Sequence, residues 1–243
     1  IGCNTANILL IIGISALLSP IRVVGTSINR NIFYMLLSTI MLFVLMWFNS
    51  LNFKFGLLFL LMLGVYVYWS FKEDHKHYKK QTSNNSARVQ NYKPLIALMI
   101  SILGIAFLVV GSSFMVESAI LIAGIYGISE AVIGLTLVAV GSSLPELATA
   151  IVSAFRKHSD MVLGNVVGSN IFNVWGILGV TLLIKPIYVC IKTMALDMGV
   201  MLAASVILSV LVKKRITIGR GVALIMLGSY ACYLSFLYGL IKF

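Results

Sequence analysis

Charged residues are scarce in this chain of 243 residues, of which only 10% are Asp, Glu, Lys or Arg. Because roughly a quarter of the residues in a soluble domain are charged, the composition excludes an ordinary soluble protein. Acidic residues are the rarest, with seven Asp and Glu against 18 Lys and Arg. The basic residues fall between apolar runs and form no continuous face, so we predict no nucleic-acid partner and interpret them as determinants of membrane topology.

Several motifs are also absent. The three cysteines, Cys3, Cys190 and Cys232, lack metal-binding or redox spacing, and we interpret them as small apolar packing residues. The apolar runs contain no serine–lysine pair, no paired aspartates and no HExxH motif. We therefore predict that the protein is not an enzyme and has no cofactor.

Long apolar runs fill most of the chain, and 60% of its residues are hydrophobic. Because the hydrocarbon core of a bilayer is about 30 Å thick and a helix rises about 1.5 Å per residue, a run of about 20 apolar residues indicates a membrane span. The fourth run is too long for a perpendicular crossing and must tilt or break near Gly111. We predict an all-α polytopic membrane protein embedded in a lipid bilayer, with eight spans: Ile1–Leu18, Ile32–Phe48, Phe55–Phe71, Pro94–Tyr126, Ala131–Phe155, Met161–Ile184, Thr193–Val212 and Gly221–Ile241.

A polar segment, residues 72–93, separates two apolar halves, residues 1–71 and 94–243. It has almost no apolar side chains, so we predict a solvated loop between the halves. Connections on the side of this loop hold fourteen Lys and Arg, and those on the opposite side hold four. The bias places the loop in the cytoplasm and the C-terminus outside, and we expect the plasma membrane of a prokaryote.

Two segments 166 residues apart resemble each other: residues 1–23 read IGCNTANILLIIGISALLSPIRV and residues 167–189 read VGSNIFNVWGILGVTLLIKPIYV. The first lies in predicted span one and the second in span six, so five crossings separate them and they run in opposite directions. Inverted repeats build transporters that bind their substrate near the bilayer midplane. The sequence begins inside the first copy without an initiator Met, and we expect it to be a fragment. The copies share Gly2/Gly168, Asn4/Asn170, Asn7/Asn173, Ile11/Ile177, Gly13/Gly179, Pro20/Pro186, Ile21/Ile187 and Val23/Val189.

The densest polar cluster inside an apolar run is AVGSSLPELATA, residues 139–150. Pro145 interrupts a helix because it lacks an N–H donor, and the freed carbonyls are tolerated at membrane depth only beside protein or a cavity. Glu146 follows at once, and Ser142 and Ser143, at i−4 and i−3, are expected on its helix face. Carboxylate, hydroxyl and carbonyl oxygens suit hard cations such as Na⁺ or Ca²⁺. The alternative is that Glu146 is a protonated, hydrogen-bonded core residue.

The next predicted span carries Asn165, Ser169 and Asn173 at every fourth position, which places all three on one helix face. We expect this face to meet Glu146 and to supply further cation ligands. Asparagines can instead join helices by hydrogen bonds, but Asn7 repeats Asn173 in the other copy. The counterpart of Ser169 is a cysteine, a poorer ligand for a hard cation.

Four further polar residues of the predicted spans lie outside this cluster, and we interpret them as structural. Asn4 and Asn170 point to a different helix face from the candidate ligands. Glu117 and Asp197 are intramembrane acids without a clustered motif, and a paired or snorkelling side chain is the simpler interpretation, although Glu117 could be a second ion or proton group.

At GSSLPEL, residues 141–147, followed by GNVVGSNIFN, residues 164–173, the sequence resembles the sodium/calcium exchanger family of the calcium/cation antiporter superfamily. Residues 128–154 look like the second α-repeat of the prokaryotic branch, and IGCNTAN looks like the end of the first. The resemblance covers essentially the whole chain. It implies an inverted-repeat antiporter fold of ten helices, of which about eight are present, and exchange of cytosolic Ca²⁺ for external Na⁺ by alternating access.

The resemblance also implies roles for individual residues. Glu146 matches the central carboxylate that binds Ca²⁺ and Na⁺, and Ser142 and Ser143 match its hydroxyl pair. Asn173 and Asn7 match the asparagine or aspartate that completes the site, and the partner carboxylate would lie upstream of Ile1. Many relatives have Asp where this chain has Asn173, and the neutral residue argues against K⁺ coupling. H⁺-coupled Ca²⁺ exchange and a non-transporting membrane protein that retains the fold are the alternatives.

Overall fold

The computed structural model describes residues 1–23, 27–48, 51–82, 94–125, 139–188 and 191–241. Helices are the only regular secondary structure within these ranges. Six helical segments are long and apolar enough to cross a membrane, and two shorter apolar helical segments cover residues 2–18 and 144–155. The predicted all-α polytopic architecture is confirmed. The six are Ser27–Trp47, Phe53–Lys72, Leu98–Ile122, Ser159–Ile184, Met194–Lys213 and Arg220–Leu237.

Both halves of the chain begin their repeated segment with a helix that widens into π-helix and then narrows again. The first half comprises α1 (Gly2–Ala6), π1 (Asn7–Ile11), α2 (Ile12–Leu18), α3 (Ser27–Trp47) and α4 (Phe53–Thr82). The second half comprises α5 (Pro94–Ile125), α6 (Ala139–Ser142), α7 (Leu144–Phe155), α8 (Ser159–Ile171), π2 (Phe172–Leu178), α9 (Gly179–Ile184), α10 (Ile191–Lys213) and α11 (Arg220–Ile241).

Two long helices differ from their predicted bounds. α4 continues past the predicted end at Phe71 to Thr82, because Lys, Glu and Gln in this polar segment are good helix formers. α5 continues through Gly111, so the predicted alternative of a break there is wrong. Residues 83–93 of the predicted loop and residues 131–138 of the predicted fifth span lie outside the described ranges.

Packing between the two halves repeats itself with the roles of the halves exchanged. α2 packs against α11, and its repeat equivalent α9 packs against α4. Likewise π1 contacts α11 while π2 contacts α4, and α1 contacts α10 while α8 contacts α3. The equivalent helices α3 and α10 pack directly against each other. The described helices therefore obey an approximate twofold relation, as expected for an inverted repeat.

The segments that follow the repeated helices cross to the opposite half. The backbone N–H groups of Ile21 and Ile218 each donate to the other residue's carbonyl at 3.0 Å. Ile187, the repeat equivalent of Ile21, donates to the carbonyl of Leu51 at 3.1 Å. Each copy is thus fixed at its end by backbone hydrogen bonds to the other half.

The core lies where the two repeated helices meet, and it contains the fully buried Ile8, Ile11, Leu163 and Trp175. The periphery exposes large apolar side chains such as Phe107, which is 76% exposed. Soluble monomers rarely expose continuous apolar surfaces of this extent. The distribution fits a surface solvated by lipid tails.

Candidate functional site

The helix that carries the candidate carboxylate is broken at Ser143. α6 ends at Ser142 and α7 begins at Leu144, with Ser143 between them at φ −95° and ψ 4°. Pro145 in the first turn of α7 lacks the N–H that would continue the helical hydrogen bonds. The expectation that Ser142 shares a continuous helix face with Glu146 is therefore wrong.

The serine pair takes two different positions around this break. Ser143 is buried, with its carbonyl accepting the backbone N–H of Leu147 at 2.9 Å. Ser142 is exposed, and its Oγ lies 3.1 Å from the Sγ of Cys3 in α1. The break thus brings a hydroxyl of the second half against the thiol of the first half.

Glu146 lies in the first turn of α7, where the positive end of the helix dipole favours a negative charge. Its Oε2 atom is buried and has no hydrogen-bond partner within the part of the chain that the structure describes. Leaving a buried acceptor unsatisfied costs about 1–3 kcal/mol, and more for a charged group. The carboxylate therefore offers an acceptor oxygen that a bound ligand could satisfy.

A cavity of about 490 Å³ lies beside Glu146, and we call it the Glu146 groove. Asn165, Ser169 and Asn173 line it from one face of α8 and π2. The face also carries Gly164 and Gly168, and an added Cβ at either position would meet no atom within 4 Å. The groove is open because these two glycines leave space that larger side chains would fill. Its lining comprises Tyr66, Glu146, Gly164, Asn165, Gly168, Ser169, Phe172, Asn173 and Ile177.

Asn165 joins the two helices that form the groove, because its Nδ2 donates to the backbone carbonyl of Glu146 at 3.2 Å. α7 and α8 pack closely, as the short connection between them leads one to expect. The hydrogen bond fixes the position of Glu146 along the helix face that carries Asn165, Ser169 and Asn173. The amide of Asn165 thus positions the carboxylate-bearing turn as well as lining the groove.

Four asparagines join the two repeats at the centre of the molecule. Asn7 Nδ2 donates to Asn170 Oδ1, and Asn173 Nδ2 donates to Asn4 Oδ1, both at 2.9 Å. Asn4 Nδ2 donates to the carbonyl of Asn170 at 3.2 Å, and Asn170 Nδ2 to the carbonyl of Asn4 at 3.4 Å. Asn4, Asn7 and Asn170 are each at most 3% exposed, so these bonds lie in the interior. Asn7 Oδ1 is buried, and no described residue donates a hydrogen bond to it.

The structure brings together four of the seven predicted site residues, Glu146, Asn165, Ser169 and Asn173, around the Glu146 groove. The other three are placed differently: Ser142 faces Cys3, Ser143 lies in the buried turn, and Asn7 reaches Asn173 only through Asn4 and Asn170. That these seven bind a cation stays a prediction.

Sequence reasoning missed one residue of the groove and undervalued two others. Tyr66 lines the groove from α4, and its ring packs edge-on against that of Tyr34 at 5.3 Å. The available signal in the sequence was a residue with a polar hydroxyl in the middle of an apolar run. Asn4 and Asn170 form the central hydrogen bonds, and their occurrence in both copies was the available signal.

The two intramembrane acids outside the cluster have different surroundings. Asp197 is 5% exposed and accepts a hydrogen bond from the hydroxyl of Tyr233, so it is a paired group as interpreted. Glu117 is exposed on α5. Among the described residues no group of three or more His, Cys, Asp or Glu could hold a metal ion. The oxygen donors of the groove are therefore one carboxylate accompanied by amides and hydroxyls.

The exchanged contacts between halves, the broken helix and the interior groove together define a multi-pass membrane protein of the inverted-repeat transporter class. Residues 1–72 and 96–239 match the family model of the sodium/calcium exchanger proteins. The chain belongs to this family, as a member of its prokaryotic type.

Individual relatives cover most of the chain. It is 34% identical over 220 residues to the putative antiporter CaxA of Alkalimonas amylolytica, covering 86% of this chain and 66% of CaxA. It is 46% identical over 120 residues to the sodium/calcium exchanger MaX1 of Methanosarcina acetivorans, covering 49% of this chain and 34% of MaX1. The solved structure of the sodium-calcium exchanger NCX_Mj superimposes with a TM-score of 0.77 at 31% identity, covering 96% of this chain and 73% of that structure. The chain thus spans about two thirds to three quarters of the length of CaxA and NCX_Mj.

Proposed function

We propose that the protein is a secondary active antiporter that exchanges Ca²⁺ for Na⁺ across a cell membrane by alternating access. The observation that carries the proposal is the buried Oε2 of Glu146, which has no hydrogen-bond partner in the described ranges and lies beside a groove lined by asparagine and serine side chains. Membership of the exchanger family supports it. Further support comes from crystals of NCX_Mj that were soaked with Na⁺ and Sr²⁺ or with Na⁺ and Ca²⁺.

The donor set favours hard cations. The carboxylate of Glu146, the amide oxygen of Asn173 and the hydroxyl of Ser169 are oxygen ligands of the kind that Ca²⁺ and Na⁺ prefer. The only two cysteines in the described ranges are unpaired. We expect soft metals such as Zn²⁺ to bind weakly, because the donors that line the Glu146 groove are oxygen and nitrogen atoms, which suit hard cations better.

Charge neutralisation supplies a mechanism for coupling. An empty carboxylate at membrane depth is costly to move through a closed, low-dielectric state. A bound cation removes that charge and lowers the cost, so only the occupied site changes its accessibility. The exchanged packing of the two halves provides two related arrangements between which the helices can move. Ca²⁺ and Na⁺ compete for one site in this scheme, which makes their movements opposite.

We further propose that residues 72–93 face the cytoplasm, which the excess of Lys and Arg on that side supports, and that the protein lies in a plasma membrane. The inward Na⁺ gradient of a living cell would then drive the extrusion of Ca²⁺.

The test is ⁴⁵Ca²⁺ uptake into Na⁺-loaded proteoliposomes that contain the full-length protein. Glu146→Gln keeps the size of the side chain and removes its charge, and we expect it to abolish Na⁺-dependent uptake. Glu117→Gln is the matched control, because Glu117 is an exposed carboxylate on another helix. Normal Na⁺-dependent uptake by Glu146→Gln would overturn the assignment of Glu146 to the ion site.

The same vesicles separate the alternatives. Uptake that follows an imposed pH gradient, without a Na⁺ gradient, would show H⁺-coupled Ca²⁺ exchange. A folded protein that moves Ca²⁺ under neither gradient would be a non-transporting member of the family.

A further inference from the structure

We propose that Asn4 and Asn170 are positioning residues, each of which holds the amide of one site asparagine so that its Oδ1 stays free for a cation. Asn4 acts on Asn173, and Asn170 acts on Asn7. The inference rests on the proposed function and assigns roles to two residues that themselves touch no cation. It starts from four hydrogen bonds that cross between the repeats.

The same positioning bond occurs twice. Nδ2 of Asn173 donates to Asn4 Oδ1, and Nδ2 of Asn7 donates to Asn170 Oδ1, at 2.9 Å in both cases. Each member of one pair lies 166 residues from its equivalent in the other pair. Because the bond has the same direction and length in both halves, it belongs to the repeated unit and is not an accident of one contact.

The orientation of the positioning amides is fixed from their other end. Nδ2 of Asn4 donates to the backbone carbonyl of Asn170, and Nδ2 of Asn170 donates to the backbone carbonyl of Asn4. Turning either amide by half a turn would place its NH₂ against another NH₂ and its oxygen against a carbonyl. Both positioning residues must therefore present Oδ1 to the site asparagines, whose side chains can donate to it only through Nδ2.

A site asparagine held by its Nδ2 has one oxygen left. Asn7 Oδ1 is buried and has no partner among the described residues. Asn173 lines the Glu146 groove, and the hydrogen bond that its side chain makes to Asn4 is donated by its Nδ2. Without Asn4, the amide of Asn173 could turn and present NH₂ groups, which repel a cation, to the groove. The four-asparagine arrangement thus selects for cations by controlling which end of each amide is available.

The competing explanation is that these asparagines only join helices, as polar residues often do in membranes. The chain offers a control for that role. Thr39 Oγ1 and Ser205 Oγ lie 3.5 Å apart between α3 and α10, are also 166 residues apart, and are buried. They join the same two repeats without touching a site asparagine.

The experiment measures equilibrium ⁴⁵Ca²⁺ binding to the purified full-length protein, together with the KM for Ca²⁺ of Na⁺-dependent uptake. We expect Asn170→Leu and Asn7→Ala each to weaken Ca²⁺ binding about tenfold, equivalent to about 1.4 kcal/mol. The variant that combines both changes should bind Ca²⁺ no more weakly than the weaker-binding of the two single variants, because both changes remove the same oriented oxygen. Asn4→Leu with Asn173→Ala should behave in the same way.

Crossed pairs give the opposite expectation. The losses of Ca²⁺ affinity caused by Asn170→Leu and Asn173→Ala should add, to about a hundredfold in the double variant. The reason is that Nδ2 of Asn4 donates to the backbone carbonyl of Asn170, which the leucine variant retains. The double control Thr39→Val with Ser205→Ala should leave the Ca²⁺ affinity within about twofold of the wild type, because the two hydroxyls make no hydrogen bond to a site asparagine. Additive losses within the pair Asn170 and Asn7, or an equal loss in the control, would overturn the positioning role.

Asn170→Asp provides an independent check that does not depend on the folding of the leucine variant. Its carboxyl keeps an acceptor for Asn7 but, when ionised, has no N–H for the carbonyl of Asn4. We expect Ca²⁺ binding at least as tight as about one third of the wild-type affinity, as one retained hydrogen bond requires. A tenfold loss in Asn170→Asp contradicts the inference. Wild-type protein that shows neither Ca²⁺ binding nor uptake would overturn the proposed function and this inference together, whereas additive losses in a binding-competent protein overturn only the positioning role.

Discussion

The two copies of the repeat, α1–π1–α2 and α8–π2–α9, share a backbone course but differ in what surrounds their polar residues. Asn7 is buried, whereas its equivalent Asn173 lines an open groove. The position of Ser169 in the second copy is occupied by Cys3 in the first. Both copies widen into π-helix at the asparagine, and π-helical turns are frequent at functional sites. The duplication thus preserved helix geometry and hydrogen bonding while the candidate ligands diverged.

This difference separates two kinds of constraint. Contacts near the approximate twofold axis, such as Asn4 with Asn170, join equivalent residues of the two copies, so a change in one must stay compatible with the other. Residues away from the axis meet different neighbours in each half and can change independently. Cys3 and Ser169 lie in this second group, as do Asn31 and Asp197.

The largest effect on stability is expected where glycines let two helices approach closely, because the two halves differ in what lies opposite the glycine. A Cβ added at Gly56 would lie 2.9 Å from the backbone oxygen of Gly179, whereas one added at Gly13 would meet the side chain of Leu227 at 2.8 Å. A leucine side chain can move and a helix backbone cannot. We expect Gly56→Ala to lower the free energy of unfolding by an amount near the upper end of about 1–3 kcal/mol, and Gly13→Ala by an amount near the lower end. Thermal unfolding in detergent measures both, and equal losses would refute the distinction.

The next effect concerns Asp197, whose equivalent in the first half is the neutral Asn31. Asp197→Leu leaves the hydroxyl of Tyr233 without its acceptor, and we expect a loss of about 1–3 kcal/mol for that unsatisfied group. Asp197→Asn retains an acceptor oxygen and should stay close to the wild type in thermal unfolding. If both variants keep normal stability but lose Ca²⁺ uptake, Asp197 has a role in transport and not only in packing.

Removing the hydroxyl of Ser169 tests the asymmetry of the candidate ligands directly. We expect Ser169→Ala to raise the KM for Ca²⁺ about tenfold, since it removes one oxygen donor from the Glu146 groove. Cys3→Ala removes a poor ligand for a hard cation and should change the KM by less than about threefold. The comparison fails if the cysteine variant has the larger effect on Na⁺-dependent ⁴⁵Ca²⁺ uptake.

The smallest effect is expected when the first copy is made to match the second. Cys3→Ser replaces the thiol that lies 3.1 Å from Ser142 with a harder oxygen donor. We expect a gain in Ca²⁺ affinity of about threefold, consistent with a net contribution of about 0.5–1.5 kcal/mol from one polar contact. Weaker binding by Cys3→Ser, measured by equilibrium ⁴⁵Ca²⁺ titration, would show that the asymmetry itself is required.

Much of the fold was accessible from the sequence because hydrophobic runs and duplicated residues are local signals. The helical spans and the repeat offset needed no tertiary information. The end of α4 was misplaced because a polar helix and a polar loop have similar compositions. The expectation for Ser142 failed because the position of a break relative to Pro145 depends on how the two helix pieces pack.

The sequence by itself determined that this protein spans a membrane, contains an inverted repeat and concentrates its polar residues in two short segments. Composition and periodicity specify these properties without reference to distant contacts. Only the tertiary structure decided which asparagine side chains donate the hydrogen bonds between the repeats and which accept them. Asn4 and Asn173, for example, are 169 residues apart in the chain and meet through the twofold packing. It also decided that Oε2 of Glu146 and Oδ1 of Asn7 find no hydrogen-bond partner among the residues that the structure describes, since the satisfaction of a polar atom depends on every neighbour that the fold brings to it.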